Sequence, residues 1–415
     1  MSPVQLIIIG AGSRGTRYAE YALEHPGLAQ VVGVAEPRPY FRQRMQQKYN
    51  LEAANVVEDW RELAARPKFA DAVIIATPDI LHKEPAIAFA NQGYDILLEK
   101  PMAPDPESCR QIVETAQRNN VILAVCHVLR YTHYSQQLKS LISSSLIGEI
   151  ISVQLLEPVG FWHYAHSFVR GNWRNEATSS FMLLAKSCHD LDWLRYIIGR
   201  PCQQVSSFGS LKHFKKENKP PEAGEALRCL DCAYESNCAY SAKRFYLNLY
   251  KQGNFGWPLD IITTDLTETG VIAALQNGPY GCCVYESDND VVDHQVVNLL
   301  YEGGATATFT MIATSESRQR QVSIFGTKGE LRGNGETIIH YDFLSGLTRE
   351  IAVDKFETKL SGHGGGDYGV IKSFVEAVAT RDPSLILSGP QESLETHLTV
   401  FAAERARLEN RVLAV

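Results

Sequence analysis

The chain has 415 residues, 45% of them apolar and 21% charged, with a net charge of −7 at pH 7. That length exceeds one ordinary core and predicts two domains, while the acidic balance offers no basic footprint for nucleic acid. No apolar run is long enough to cross a bilayer, and the N-terminus runs into a buried strand without a charged leader, so the expectation is a soluble, cytoplasmic protein with no membrane or nucleic-acid partner. Nine cysteines form no whole-chain disulfide pattern and are expected as thiols of a reducing compartment.

The opening stretch Gln5-Leu-Ile-Ile-Ile-Gly10-Ala-Gly12-Ser13-Arg14-Gly15 predicts a strand buried on both faces, a turn and a helix start. Three glycines at this spacing allow a tight turn, close backbone approach to a dinucleotide pyrophosphate, and close packing of helix on strand. The helix N-terminus, with Ser13 and Arg14, presents N–H groups to the phosphates. Glu36 ends the second strand roughly 20 residues on, where a carboxylate accepts from both ribose hydroxyls. Its charge would repel a 2′-phosphate, which favours NAD over NADP, and the neighbouring Arg38 weakens that preference.

Helices are expected over 40–49 and 60–65, then a buried strand over 70–76 that ends in Thr77-Pro78-Asp79 with His82 close behind. A helix over 84–92 stops at Gly93, and a strand over 95–99 follows. Repeating strand and helix units predict an α/β, doubly wound parallel sheet with ligands beyond the carboxyl ends of its strands.

The glycine fingerprint, the Thr77-Pro78-Asp79 loop with His82, and Glu99-Lys100-Pro101, in that order, resemble the Gfo/Idh/MocA family of glucose–fructose oxidoreductase, inositol 2-dehydrogenase and related sugar dehydrogenases. The resemblance continues through Val125-Cys-His127-Val-Leu-Arg130-Tyr131 and Ile147-Gly148-Glu149-Ile150, and extends weakly to the C-terminus. It implies an NAD-binding Rossmann domain over 1–127, with Thr77, Pro78, His82, Glu99 and Lys100 lining the cofactor. It also implies an α+β domain over 128–415, whose large, mainly antiparallel sheet supports homo-oligomers, dimer or tetramer. In the family the lysine of the Glu-Lys-Pro loop points at the reacting hydroxyl beside the nicotinamide, a role that falls to Lys100, with Pro101 in a fixed turn. His127 and Arg130 fall on the substrate side.

Beyond 149, alternating runs over 150–157, 202–209, 291–301, 305–313 and 321–325 predict strands, with Gly303-Gly304 as a hairpin turn. Between the first two a single helix is expected over 181–198, carrying Lys186-Ser-Cys-His189-Asp-Leu-Asp192 and ended by Gly199. The family's histidine on this helix shuttles the proton, flanked by aspartates four residues before and three after. Here His189 and Asp192 are kept, Ala185 stands at the earlier aspartate position, and Lys186 lies beside it. Two lysines converging on one pocket disfavour each other's protonated form, so that one acts as a base, or else both stay charged around an anionic group.

Residues 160–175 show no regular pattern and read as a loop over the cleft. Trp162, Trp173 and His166 are candidates to stack on a sugar ring, Arg170 and Arg174 to bind an anionic substituent, and Asp192 to hold a neighbouring hydroxyl. A purely structural aromatic loop is the alternative. An insertion over about 212–264 contains His213 and Cys229-Leu-Asp-Cys232 followed by Cys238, a spacing that suits a structural zinc; packed free thiols are the alternative. His363-Gly-Gly-Gly366-Asp367-Tyr368 reads as the lead-in to an amphipathic helix over 370–379, with His363 or Asp367 within reach of substrate, and a last packing helix is expected over 390–408.

The expected function is NAD-dependent hydride transfer from a secondary hydroxyl of a sugar, an anionic sugar derivative or a cyclitol. Glycoside cleavage through transient oxidation, elimination, water addition and re-reduction keeps the same site. Ala185 keeps open a non-catalytic NAD-binding regulator.

Overall fold

The structure is a computed structural model and describes residues 2–353, 360 and 362–415. Six strands, β1 (Val4–Ile9), β2 (Ala29–Ala35), β3 (Val56–Val57), β4 (Ala72–Ile75), β5 (Asp95–Leu98) and β6 (Leu123–Val125), form a parallel sheet in the order β3-β2-β1-β4-β5-β6. The sequence dictates this arrangement: Ile7, Ile8, Val73, Ile74, Ile75, Leu97 and Leu98 have no exposed surface, as strands covered by helices on both faces require. The strand order reverses between β1 and β4, and the loops that leave the carboxyl ends of β1, β2, β4 and β5 carry Gly10, Glu36, Thr77 and Lys100 to one crevice.

A second sheet has nine strands. It comprises β7 (Ile150–Pro158), β8 (Cys202–Ser210), β9 (His294–Tyr301), β10 (Thr306–Ile312), β11 (Gln321–Gly326), β12 (Gly329–Gly333), β13 (Thr337–Asp342), β14 (Thr348–Ala352) and β15 (Leu413–Ala414), in the order β14-β13-β12-β11-β7-β10-β9-β8-β15. The β7 and β10 strands pair in parallel and the other neighbours are antiparallel. Alternate residues such as Val153, Leu155, Val297, Leu299, Phe309 and Met311 face a core shared with helices Cys188–Ile198 and Pro390–Glu409. Strands β12 to β15 escape the sequence pattern because they are short, and in β14 Thr348-Arg349-Glu350 is exposed throughout.

Three local differences bear on the site. The helix expected over 181–198 is split into Met182–Ala185 and Cys188–Ile198, with Lys186 and Ser187 at the break. The stretch expected as a loop begins with a short helix, Phe161–Tyr164, that widens into a π-helical turn, Ala165–Arg170. The C-terminal helix starts at Gly366 and runs to Thr380, and Val370, Ile371 and Phe374 pack with Leu6, Ile8 and Tyr18 under the parallel sheet. The insertion builds its own small core from Cys229, Ala242, Tyr246, Leu259, Val271, Leu275 and Tyr280, so its packing continues past residue 264.

Candidate active site

The nucleotide side is built from backbone. Gly10 has φ +91°, and a Cβ there would lie 2.6 Å from the Ala76 carbonyl oxygen; at Gly15 it would lie 2.0 Å from the Gly10 oxygen. At Gly12 it would meet only the Arg38 guanidinium, at 3.5 Å, so this is the glycine that leaves room for a ligand. Glu36 is buried and accepts from the Ala11 amide (2.8 Å) and from Arg38 Nε (2.7 Å). Burial pushes its carboxyl up, but the bonds from Arg38 and Ala11 outweigh burial and leave it below the usual range. The Thr77 hydroxyl, just past the end of β4, is buried without a hydrogen-bond partner among the described residues. These features fit a dinucleotide.

The residues around this cradle brace it. Arg14 Nε donates to Glu99 (2.6 Å) and its terminal nitrogens donate to Asp367 (3.0 and 2.8 Å), which ties the fingerprint helix to the C-terminal helix. His82 spans two loops, with ring nitrogens 2.8 Å from the Pro101 oxygen and 2.9 Å from the Thr77 oxygen. It therefore fixes Thr77 and Pro78 relative to Lys100.

On the reacting side, the Lys100 ammonium donates to the Ala185 carbonyl at 2.6 Å. An unbroken helix would direct that carbonyl to the amide four residues on; the break at Lys186 and Ser187 turns it toward Lys100. Lys186 lies 3.4 Å from Glu157, which pairs with Arg320 (3.2 Å), and Arg320 pairs in turn with Asp190 (2.5 Å). Burial depresses the Lys186 pKa; Glu157 pulls it up, while Arg320 and Lys100 add to the depression, and the net shift is downward. His189 is 6% exposed and its Nδ1 has no partner among the described residues. Burial, then Lys100, His127 and His363, hold its imidazole neutral. The His363 ring is 6.0 Å from that of His189, and its Nδ1 is 3.0 Å from Asp367. His163 closes the group, kept neutral by burial and by Lys186.

Residues 4–127 match the oxidoreductase family with the NAD-binding Rossmann fold, Gfo/Idh/MocA, and residues 139–415 match the C-terminal alpha/beta domain of the same family. The chain belongs to the Gfo/Idh/MocA family. It is therefore an NAD-binding oxidoreductase of a family whose members here act on sugars. YteT of Bacillus subtilis, named as an oxidoreductase, is 25% identical over 327 residues, 75% of this chain and 73% of that protein. The 2,7-anhydro-N-acetylneuraminate hydratase of Mediterraneibacter gnavus is 28% identical over 267 residues, 62% of this chain and 64% of that enzyme. Levoglucosan dehydrogenase in complex with NADH and levoglucosan superposes over 100% of both chains, with a TM-score of 0.72 at 19% identity, which speaks for the fold.

In this Gfo/Idh/MocA protein several expected substrate residues are spoken for. Arg130 is fully buried and forks onto both oxygens of Asp192 at 2.7 Å, so the two satisfy each other rather than a ligand. His127, by contrast, is buried beside that pair and His189, with Nε2 3.6 Å from Asp192 and neither ring nitrogen hydrogen-bonded among the described residues. His166 bonds the Tyr246 hydroxyl (2.6 Å) and stacks on Tyr280. Arg170 donates to the carbonyls of Cys282 (2.7 Å) and Tyr240 (2.8 Å) and so belongs to the insertion's packing. Arg174 pairs with Asp288 on the surface (2.6 Å), and Trp173 neighbours Phe168. Trp162 alone of the three expected ring platforms reaches the group, stacked on His163 at 5.6 Å.

The zinc set of His213, Cys229, Cys232 and Cys238 does not assemble. Among the described residues no three His, Cys, Asp or Glu side chains are placed to hold a metal ion. The His213 ring packs among Phe214, Tyr240 and Tyr285, and the Arg170 guanidinium, 3.5 Å from the Cys229 sulfur, brings a positive charge where a cation would have to sit. All nine cysteines are free thiols. Conversely, Glu157, Arg320 and His163 were not singled out by the sequence reading. The available signal for Glu157 was a charged residue at the buried end of an alternating strand.

Proposed function

We propose that this protein oxidises a secondary hydroxyl of a sugar or sugar derivative, with Lys100 and His189 as its catalytic residues. The observation that supports this best is the Lys100 amine held 2.6 Å from a main-chain oxygen beside a neutral histidine, at the carboxyl end of β5 where the nucleotide crevice opens. Gly10, Gly12, Ser13, Gly15, Glu36, Thr77 and Pro78 would hold NAD, with Arg14, His82 and Glu99 bracing them; when bound, NAD supplies the hydride acceptor. Lys100 hydrogen-bonds the reacting hydroxyl and fixes its orientation. His189, uncharged and with a free ring nitrogen, takes the hydroxyl proton as the carbinol carbon gives up its hydride. Lys186, beside Glu157, is the candidate to hold a second oxygen or an acidic substituent, and Trp162 with His163 flanks the ring.

A second reading is favoured by Lys186 in particular. An amine of lowered basicity next to Lys100 is suited to remove the proton beside a newly formed carbonyl, which would let a glycosidic substituent leave and water add before the carbonyl is reduced again. The hydratase among the relatives works on a substrate of that kind by its name. Incubation with candidate glycosides and NAD tests both: net NADH supports the dehydrogenase, and released aglycone with solvent deuterium at the adjacent carbon, without NADH, supports the redox-neutral cycle. Turnover by Lys100→Ala at the wild-type rate would refute either.

We further assign 1–127 to the nucleotide domain and 128–415 to the substrate domain. The outer face of the nine-stranded sheet, with Gln154, Leu156, Thr308 and Ile339, is the candidate surface for a homo-oligomer, tested by sedimentation; a reducing, cytoplasmic setting suits nine unpaired thiols.

A further inference from the structure

The insertion places one large side chain where the site is open. Leu259 is fully buried in the insertion's own core, and the residues just before it project outward, with Phe255 42% and Trp257 46% exposed. The Trp257 ring is 5.1 Å from His163, edge to face, 5.6 Å from His166 and 5.7 Å from Trp162. One side of the indole thus rests on the His163 ring, which feels the charges of Lys186 and Lys100, and nearly half of the side chain stays exposed beside that group. Past Trp257 the segment reaches toward the nucleotide domain: Asp260 lies within electrostatic reach of Arg44 and Arg17, on helices Pro39–Tyr49 and Ser13–Glu24. The segment is therefore anchored by Leu259 in the insertion's core and by the rings of Trp162, His163 and His166 against Trp257.

A hydrophobic residue anchored this way yet 46% exposed leaves apolar indole surface uncovered. Sugar rings present an apolar C–H face that aromatic rings cover well, and the indole is the largest such surface. Resting on the reading that Lys100 and His189 mark the reacting centre, we propose that Trp257 carries the second ring of a two-ring glycoside, the first ring lying at Lys100. Two-ring glycosides follow as the substrate class because Trp257 adjoins the reacting group through the His163 ring and so offers a second aromatic surface next to it.

The test compares kcat/KM for a set of disaccharides and aryl glycosides with kcat/KM for the matching free sugars. In the wild type the two-ring substrates are preferred. Trp257→Ala collapses that preference about 10- to 100-fold, Trp257→Phe restores most of it, and the NAD dissociation constant measured by protein fluorescence does not move. Equal loss on both substrate types, no loss on either, or a wild-type preference for free sugars would overturn the proposal. A wild type that turns over neither type would instead sink the assignment of Lys100 and His189.

Discussion

The two sides of the crevice are made by different means. The nucleotide side is contiguous: one glycine turn, one buried acid and the loops after β4 and β5 supply it, mostly as main chain. The proposed reacting side gathers Lys100, Glu157, His163, Lys186 with His189, Arg320 and His363 from six separate stretches, and its character is electrostatic. The contrast teaches where tolerance lies: the first side fails by steric intrusion, the second by loss of a charge or a proton acceptor.

The largest expected effect separates the two directly. Lys100→Ala should lower kcat by about 100- to 10,000-fold while NAD affinity, followed by fluorescence titration, stays within about twofold; parallel loss of both would merge the two sides. Lys186→Gln sharpens the picture next, with a loss of about 10- to 100-fold. Because the amine is held below its ordinary value, its unprotonated form accumulates at lower pH than in a free lysine. If it is a base, wild-type kcat rises with pH through that value and the variant's profile is flat there; an unchanged profile with a raised KM for acidic sugars would make it a binding group.

On the nucleotide side, Gly15→Ala drives a methyl group to 2.0 Å from the Gly10 oxygen. The expected result is about 1–3 kcal/mol of lost stability with weakened NAD binding and no change in the pH profile. Asp367→Asn removes the carboxylate that joins Arg14 to His363, at a cost of about 1–3 kcal/mol. Arg14 and His363 hold the Asp367 carboxyl well below its usual value despite burial. Its contribution is accordingly complete above about pH 4 and is lost as pH falls toward the depressed folded value, so urea melts of wild type and variant should converge in acid. Arg174→Ala should do least: its pair with Asp288 is exposed, and less than about 1 kcal/mol with unchanged kinetics is expected.

How far the sequence could be read follows the same division. The parallel sheet, the glycine turn, Glu36 and the Glu99-Lys100-Pro101 loop are legible because their constraints are local in the chain. Cysteine spacing leaves zinc and packed thiols both open, because it cannot reveal that Arg170, 59 positions before Cys229, folds back onto its sulfur. Arg170 looks like an anion binder in one dimension, and Arg130 falls on the substrate side by resemblance; in three they are spent on carbonyls and on Asp192. The helix break is invisible for another reason: Met182 to Ile198 contains neither glycine nor proline to mark an interruption.

That interruption has one more consequence. The oxygen that grips Lys100 belongs to the peptide unit of residue 185 and not to any side chain. No codon specifies it, so changes among small residues at 185 should leave the grip intact, and drift can erase it only by re-forming the helix. The anchoring of this lysine lies out of reach of ordinary point substitution.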